Sequence, residues 1–277
     1  MTIASLNDLF GSQRQTIEFG RTASIASGIS LAAGYWTSLR TLAGSPAAGN
    51  AHAVVASAAG AANHAIPNDS TTGFPPIIDF AGGAIGYLHK ISAYNSVACR
   101  LAINDILWWA GAFNANHGAI TFSTPVDVPS TRMPNGAWSG NEIWVEVAAT
   151  TMAAQTTVSV TYTDESGNAG SVATVVIPAN TGVGRRFKAN LAAGDLGVKR
   201  VTAISQSGGT TGTYNVMVLR PIWKGNIKSA NDAIDHGYHN TGMPEIYQDS
   251  AVDVSFFPIG GVTATGTPDI QFGIASK

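Results

Sequence analysis

Residues 156–162 alternate without a break: Val158, Val160 and Tyr162 fall on one side, Thr157, Ser159 and Thr161 on the other. A period of two is the pattern of a half-buried strand, because successive side chains point to opposite faces. The run Asp164-Glu165-Ser166-Gly167-Asn168-Ala169-Gly170 then supplies turn chemistry and Val172 to Ile177 returns, so the segment reads as a hairpin. Further strands are read at Tyr87–Tyr94, in the apolar run Ser96–Trp109 with a turn at Gly111, and at Ile120–Phe122 and Glu142–Ala148. Arg185–Leu191, Val198–Ser205 and Tyr214–Leu219 continue the series. Gly-rich breaks such as Ser207-Gly208-Gly209-Thr210 separate them, with no helical pattern between. Such spacing predicts a mainly β protein with an antiparallel β-sandwich or jelly-roll-like core.

The flanks read differently. Ser5 to Phe10 has the form of a short helix with Ser5 as N-cap and Gly11 as stop. Residues 13–23 alternate weakly, as a strand or an arm; Tyr35, Trp36, Leu39 and Leu42 stand at helical spacing before Gly44 and Pro46. Residues 47–73 are nearly free of charge and show no period, which predicts a linker or a segment laid across a surface. Beyond Pro221 the pattern weakens: 230–243 is polar and reads as a loop, then Glu245–Phe257 and Ile270–Ala275 look like two more strands. The expected organisation is an extended, partly helical N-terminal arm (1–84), a β-sandwich domain (85–222) and a C-terminal extension (223–277) that folds back or adds to a partner's sheet.

Charge narrows the function. Only 12% of residues are charged, 15 Lys+Arg against 17 Asp+Glu, where about 25% is ordinary. No basic stripe is present, so no direct contact with nucleic acid is expected. The most apolar run, Ala102–Phe113, contains Asn104 and Asp105 and is too short for a membrane helix. The first residues carry neither a basic nor an apolar signal-peptide region. A free protein keeps a charged surface; a surface of Thr, Ser, Gly and Ala suits contact with other subunits.

Few side chains suggest chemistry. The single Cys99 forms no disulfide within the chain and reads as a buried, inert thiol. Asp232, Asp235, His236 and His239 are weak metal candidates: they would share a helix face, but Gly237 and the neighbouring Asn residues favour a loop, and the spacing matches no zinc motif. His52 and His64 are isolated. The scattered carboxylates Asp127, Glu142, Glu146 and Asp164 could include a pair for glycoside hydrolysis and read equally well as surface or turn residues, while Arg185, Arg186, Lys188, Lys199 and Arg200 read as a solvated strand face. No G-x-S-x-G elbow or phosphate loop is found, so neither catalysis nor a cofactor is expected. Trp108 and Trp109 point to opposite faces of a strand and cannot form one platform. Trp138, in the loop 134–140, and Tyr35 and Trp36 are the candidate ligand or interface aromatics.

Residues 158–222 resemble a recurring segment of tailed-bacteriophage structural proteins, through Thr161-Tyr162-Thr163 and its Gly-rich turn, Ile177-Pro178-Ala179, Ala193-Gly194-Asp195-Leu196-Gly197-Val198 and Leu219-Arg220-Pro221. Ile106-Leu107-Trp108-Trp109 and Pro134-Asn135-Gly136 extend the resemblance to about residues 85–222. It implies a virion component, assembled in the host cytoplasm, without a catalytic motif. A capsid decoration or cement protein is the first expectation, with the major capsid protein or other virion proteins as partners and a homo-oligomer, such as a trimer, as its form. A neck or tail component, including an adsorption fibre with a glycan-binding loop, is the alternative.

Overall fold

The computed structural model describes residues 13–22, 35–49, 64–80, 83–259 and 266–276. The fold is mainly β, with antiparallel sheets. At its centre lie β2 (Trp36–Ser38), β6 (Cys99–Asn114), β8 (Glu142–Val147), β11 (Arg185–Lys188), β13 (Thr213–Ile227) and β16 (Val252–Pro258). They pair in the order β13-β8-β11-β2-β16-β6, and β6 pairs again with β13, so the ring closes into a barrel. The short β4 (His64–Ala65) continues the edge of β6 beyond the reach of β16.

Two further sheets flank this barrel. One has the order β10 (Ala169–Ile177), β9 (Thr156–Asp164), β12 (Val198–Ser207) and β7 (Ile120–Thr121). The other runs β14 (Asp232–His236), β5 (Gly86–Asn95), β17 (Asp269–Ser276), β1 (Gln13–Arg21) and β3 (Gly44–Ser45), with β15 (Glu245–Ile246) also on β5. A closed barrel between two sheets thus stands in place of two facing sheets.

Each flank has its own apolar core. Val145, Val147, Val216 and Val218 of the barrel pack with Val158, Val160, Tyr162 and Ile204 of the first sheet. Leu101, Ile103, Val254 and Phe256 pack with Phe19, Ile91, Phe272 and Ile274 of the second. Barrel strands are therefore buried on both faces, which explains why β6 reads as a nearly continuous apolar run.

Several local expectations are corrected. Tyr35–Leu42 is no helix: it forms β2 and a turn, and Leu39 plugs the second core. The predicted turn at Gly111 lies inside β6, where the Asn215 side chain fills the space a Cβ would need and accepts the Ala112 N–H at 2.8 Å. β13 continues past Pro221 to Ile227, with a register shift between Pro221 and Trp223 absorbing the missing N–H. The expected loop at 230–243 contains β14 and a one-turn helix, Tyr238–Thr241. The helix read at Ser5–Phe10 lies outside the described residues. Strands from 1–84, 85–222 and 223–277 interleave, since β2 sits between β11 and β16. Those boundaries therefore follow composition and do not separate the sheets.

Candidate functional site: the barrel lumen and its mouth

The lumen departs from the usual arrangement, with a charged network beside an apolar cluster inside and apolar cores outside. Directly paired residues share a face, so Asn215, Glu146 and Arg186 line up across β13, β8 and β11, and Ser38, Ser255 and Ala102 across β2, β16 and β6. Arg186 is 2% exposed. Its Nε donates to Glu146 Oε2 at 2.6 Å and its Nη1 to Ser255 Oγ at 2.7 Å and to Asp253. Arg40 approaches Glu146 Oε1 at 3.8 Å and lies 4.8 Å from the Trp109 ring centre. Two guanidinium groups thus face two carboxylates with no net charge. Burial opposes the charge on Arg186, but Asp253 and Glu146 overcome it and raise its pKa; burial lowers that of Arg40. Trp109, Trp144, Met217 and Leu219 complete the lumen.

A second buried ion group ties loops to the barrel seam. Asp105, fully buried, pairs with Arg132 and accepts from Ser250 Oγ at 2.9 Å, with Arg220 at 3.6 Å. Burial alone would raise the Asp105 pKa; Arg132, Arg220 and the Ser250 hydroxyl bring it below its ordinary value. Six of the nine arginines (Arg21, Arg40, Arg132, Arg185, Arg186 and Arg220) are buried. The expected solvated basic face is thereby corrected: Arg185 and Arg186 are both buried, Arg186 in the lumen and Arg185 on the opposite face of β11, where it donates to Thr37 Oγ1. Glu146, read as a surface residue, is 2% exposed. The signal for Asp105 was a carboxylate inside an apolar run, since a buried charge requires a partner. Arg186 had no such signal, because β11 is four residues long.

The mouth of the barrel is a cleft of about 410 Å³ lined by Tyr35, Trp36, Trp144, Val175, Val176, Arg186, Phe187, Lys188 and Lys224. A smaller space beneath it shares Trp36, Trp144, Arg186 and Lys224 and adds Ala102, Asn104, Leu219 and Ser255. The candidates Tyr35 and Trp36 meet here. Tyr35 packs 4.7 Å from Phe187 and Trp36 5.4 Å from Phe257, centre to centre. Glu142 fixes the rim, accepting from Trp144 Nε1 at 2.8 Å and from Lys188 Nζ at 2.7 Å.

Trp138 is held elsewhere. Its Nε1 donates to the Val128 carbonyl at 2.8 Å, its ring packs on the first core, and Lys199 Nζ lies 4.7 Å from the ring centre. Asp232 and His236 share one face of β14 while Asp235 takes the other, bonding Ser92 Oγ at 2.9 Å. His236 packs edge-on against Trp223, and His239 stacks on Tyr238. Among the described residues no three His, Cys, Asp or Glu side chains cluster as a metal site. Burial raises the Cys99 thiol to about 11, where it is a poor nucleophile. Of the other histidines, His64 stacks on Trp108, while His52 lies outside the described residues.

Residues 162–197 form a clamp at one end of the first flanking sheet. Tyr162 Oη donates to Asp195 at 2.6 Å and accepts the Ala192 N–H at 2.9 Å, while Glu165 Oε2 accepts the N–H groups of Leu196 and Gly197, each at 3.0 Å. Asp164 caps its own turn through the N–H groups of Ser166 and Asn168. These residues hold loops in place.

The class defined by fold and site is a β-barrel body with a charged lumen and a single aromatic and basic mouth cleft among the spaces described above. No protein-family model and no curated protein matches the chain. Among solved structures, the VP2 protein of infectious bursal disease virus in T=1 particles is 10% identical over 96% of this chain and 77% of that one, with a TM-score of 0.19. The Gt strain of the same virus gives 9% identity, 96% and 81% coverage and a TM-score of 0.19. Superpositions this poor establish neither a shared fold nor a shared role. Among the described residues no helix is long and apolar enough to cross a membrane.

Proposed function

We propose that the chain is a non-enzymatic structural component of a tailed-phage virion, a decoration or cement protein that binds neighbouring capsid subunits. The observation that carries this reading is the outer face of the first flanking sheet. Its paired residues form uncharged rows: Val172, Thr161 and Ala203; Thr174, Ser159 and Ser205; Val176, Thr157 and Ser207. At one end of the face Arg200 pairs with Asp127, and at the other Val176 borders the cleft that also holds Lys188 and Lys224. Such a face docks without desolvating an ion, a step that costs several kcal/mol. The burial of six arginines serves the same end. The resemblance over 158–222 supports a virion body of this kind.

A protein that binds only the assembled shell stabilises it by linkage. Particles assembled without it are expected to open at lower temperature, and its copy number is expected to follow that of the major capsid protein. A copy number near a dozen would favour the neck or tail instead, and unchanged heat stability would refute the cement role.

A further inference from the structure

We propose that the cleft at the mouth of the barrel binds a carboxylate-bearing saccharide unit. Its deepest polar group is incompletely used: Arg186 spends Nε on Glu146 and Nη1 on Asp253 and Ser255, but Nη2, fully buried, has no hydrogen-bond partner among the described residues. A buried donor left unmade costs about 1–3 kcal/mol, more on a charged group, so an acceptor arriving from the cleft relieves a standing penalty. The space below the cleft holds about 10 Å³, room for roughly one water, which can bridge Nη2 to a ligand above.

The rim supplies the charge. Lys188 is paired with Glu142, but Lys224 is exposed and has no ion pair among the described residues. Lys224 therefore faces an incoming carboxylate as an uncompensated cation. The walls supply the shape: Tyr35, Trp36 and Trp144 offer flat apolar surface, suited to the C–H face of a sugar ring, in a cleft of about 410 Å³. That volume falls within the range of small-ligand sites, about 300–1,000 Å³. Asn104 and Ser255, lining the lower space, are neutral hydrogen-bonding groups of the type that read hydroxyls. Among the described residues neither a helix N-terminus nor a glycine-rich phosphate loop lines the cleft, which favours a carboxylate over a phosphate. The site meets the flat face by which the body is proposed to dock only at Val176.

The test is a titration of the full chain, read by tryptophan fluorescence and calorimetry, with a glucuronate-containing oligosaccharide and its neutral glucose counterpart. Saturable binding is expected for the acidic sugar, at least about tenfold tighter than for the neutral one, the ratio of one charge-assisted contact. Lys224→Glu is expected to remove that preference, while Lys228→Glu, the same charge change outside the cleft, leaves it. Tyr35→Ala is expected to weaken both sugars. No saturable binding, equal affinity for the two sugars, or equal effects of Lys224→Glu and Lys228→Glu would overturn the proposal. Both lysines are exposed, so thermal midpoints of these two variants should match the parent and separate loss of binding from loss of fold.

Discussion

The lumen of the barrel and the two cores on its flanks are built from the same strands yet stabilised in opposite ways. On the outside, Val145, Val216 and Phe256 meet other apolar side chains, an interaction without direction that tolerates exchange among residues of similar volume. On the inside, Glu146, Arg186, Asp253 and Ser255 form a directional network in which each member depends on the others. A buried ion group is weak evidence for stability, but removing one partner is severe because it strands a charge. The contrast explains how a chain with few charges can hide many of them: they sit where three sequence-distant segments meet, and the surface is left free for contact.

The largest effect is therefore expected in the lumen. Asp253→Ala leaves Arg186 with one carboxylate and should cost about 3–5 kcal/mol in denaturant unfolding. Exchanging all four lumen charges together (Arg40→Met, Arg186→Met, Glu146→Leu, Asp253→Leu), so that no guanidinium is left without a carboxylate, should cost far less than that single change; a quadruple variant less stable than Asp253→Ala would mean that the network is net stabilising.

Acid probes the same difference. The Asp105 pKa is held below its ordinary 3.8. The unfolded chain then takes up the proton first, so this contribution is complete above about pH 4 and is lost as pH falls through the lower folded value. Burial likewise lowers His64, His89 and His117 from 6.5. Protons bind these residues in the unfolded chain first, so stability also declines as pH falls below about 6.5. Thermal midpoints measured across this range should show both declines, and His117→Gln should reduce the upper one.

Smaller changes are expected outside the lumen. Ile143→Val, in the first flanking core, should cost about 0.5–1.5 kcal/mol by the same unfolding measurement. Thr161→Lys, on the flat outer face, should stay within about 0.5 kcal/mol of the parent.

Much of the first flank was legible in sequence. Val158, Val160 and Tyr162 point inward and Thr157, Ser159 and Thr161 outward, as the alternation requires, because a hairpin is a local structure with its register set by its turn. The barrel was not legible. Its closure depends on β2, three residues long, and on pairings between segments more than a hundred residues apart, such as β6 with β13. Strands buried on both faces lose the alternation that would mark their sides, so Trp36 and Arg186 gave no hint that they share a lumen. Tyr35 and Trp36 were recognised as candidates from their type, but only the barrel brings Trp144 and Lys224 beside them. Trp138 looked exposed from its loop, and the carbonyl of Val128 holds it instead.

Burial of so many charges leaves an uncharged face on the first flank, the face by which the body is proposed to join a shell. Rebinding of purified protein to particles assembled without it, parent beside Thr161→Lys, tests this most directly. The parent is expected to restore occupancy and heat resistance, while the folded Thr161→Lys variant is expected to bind at least about tenfold more weakly because docking would bury an unpaired ammonium. Equal rebinding of the two proteins, or failure of the parent to rebind, would contradict it.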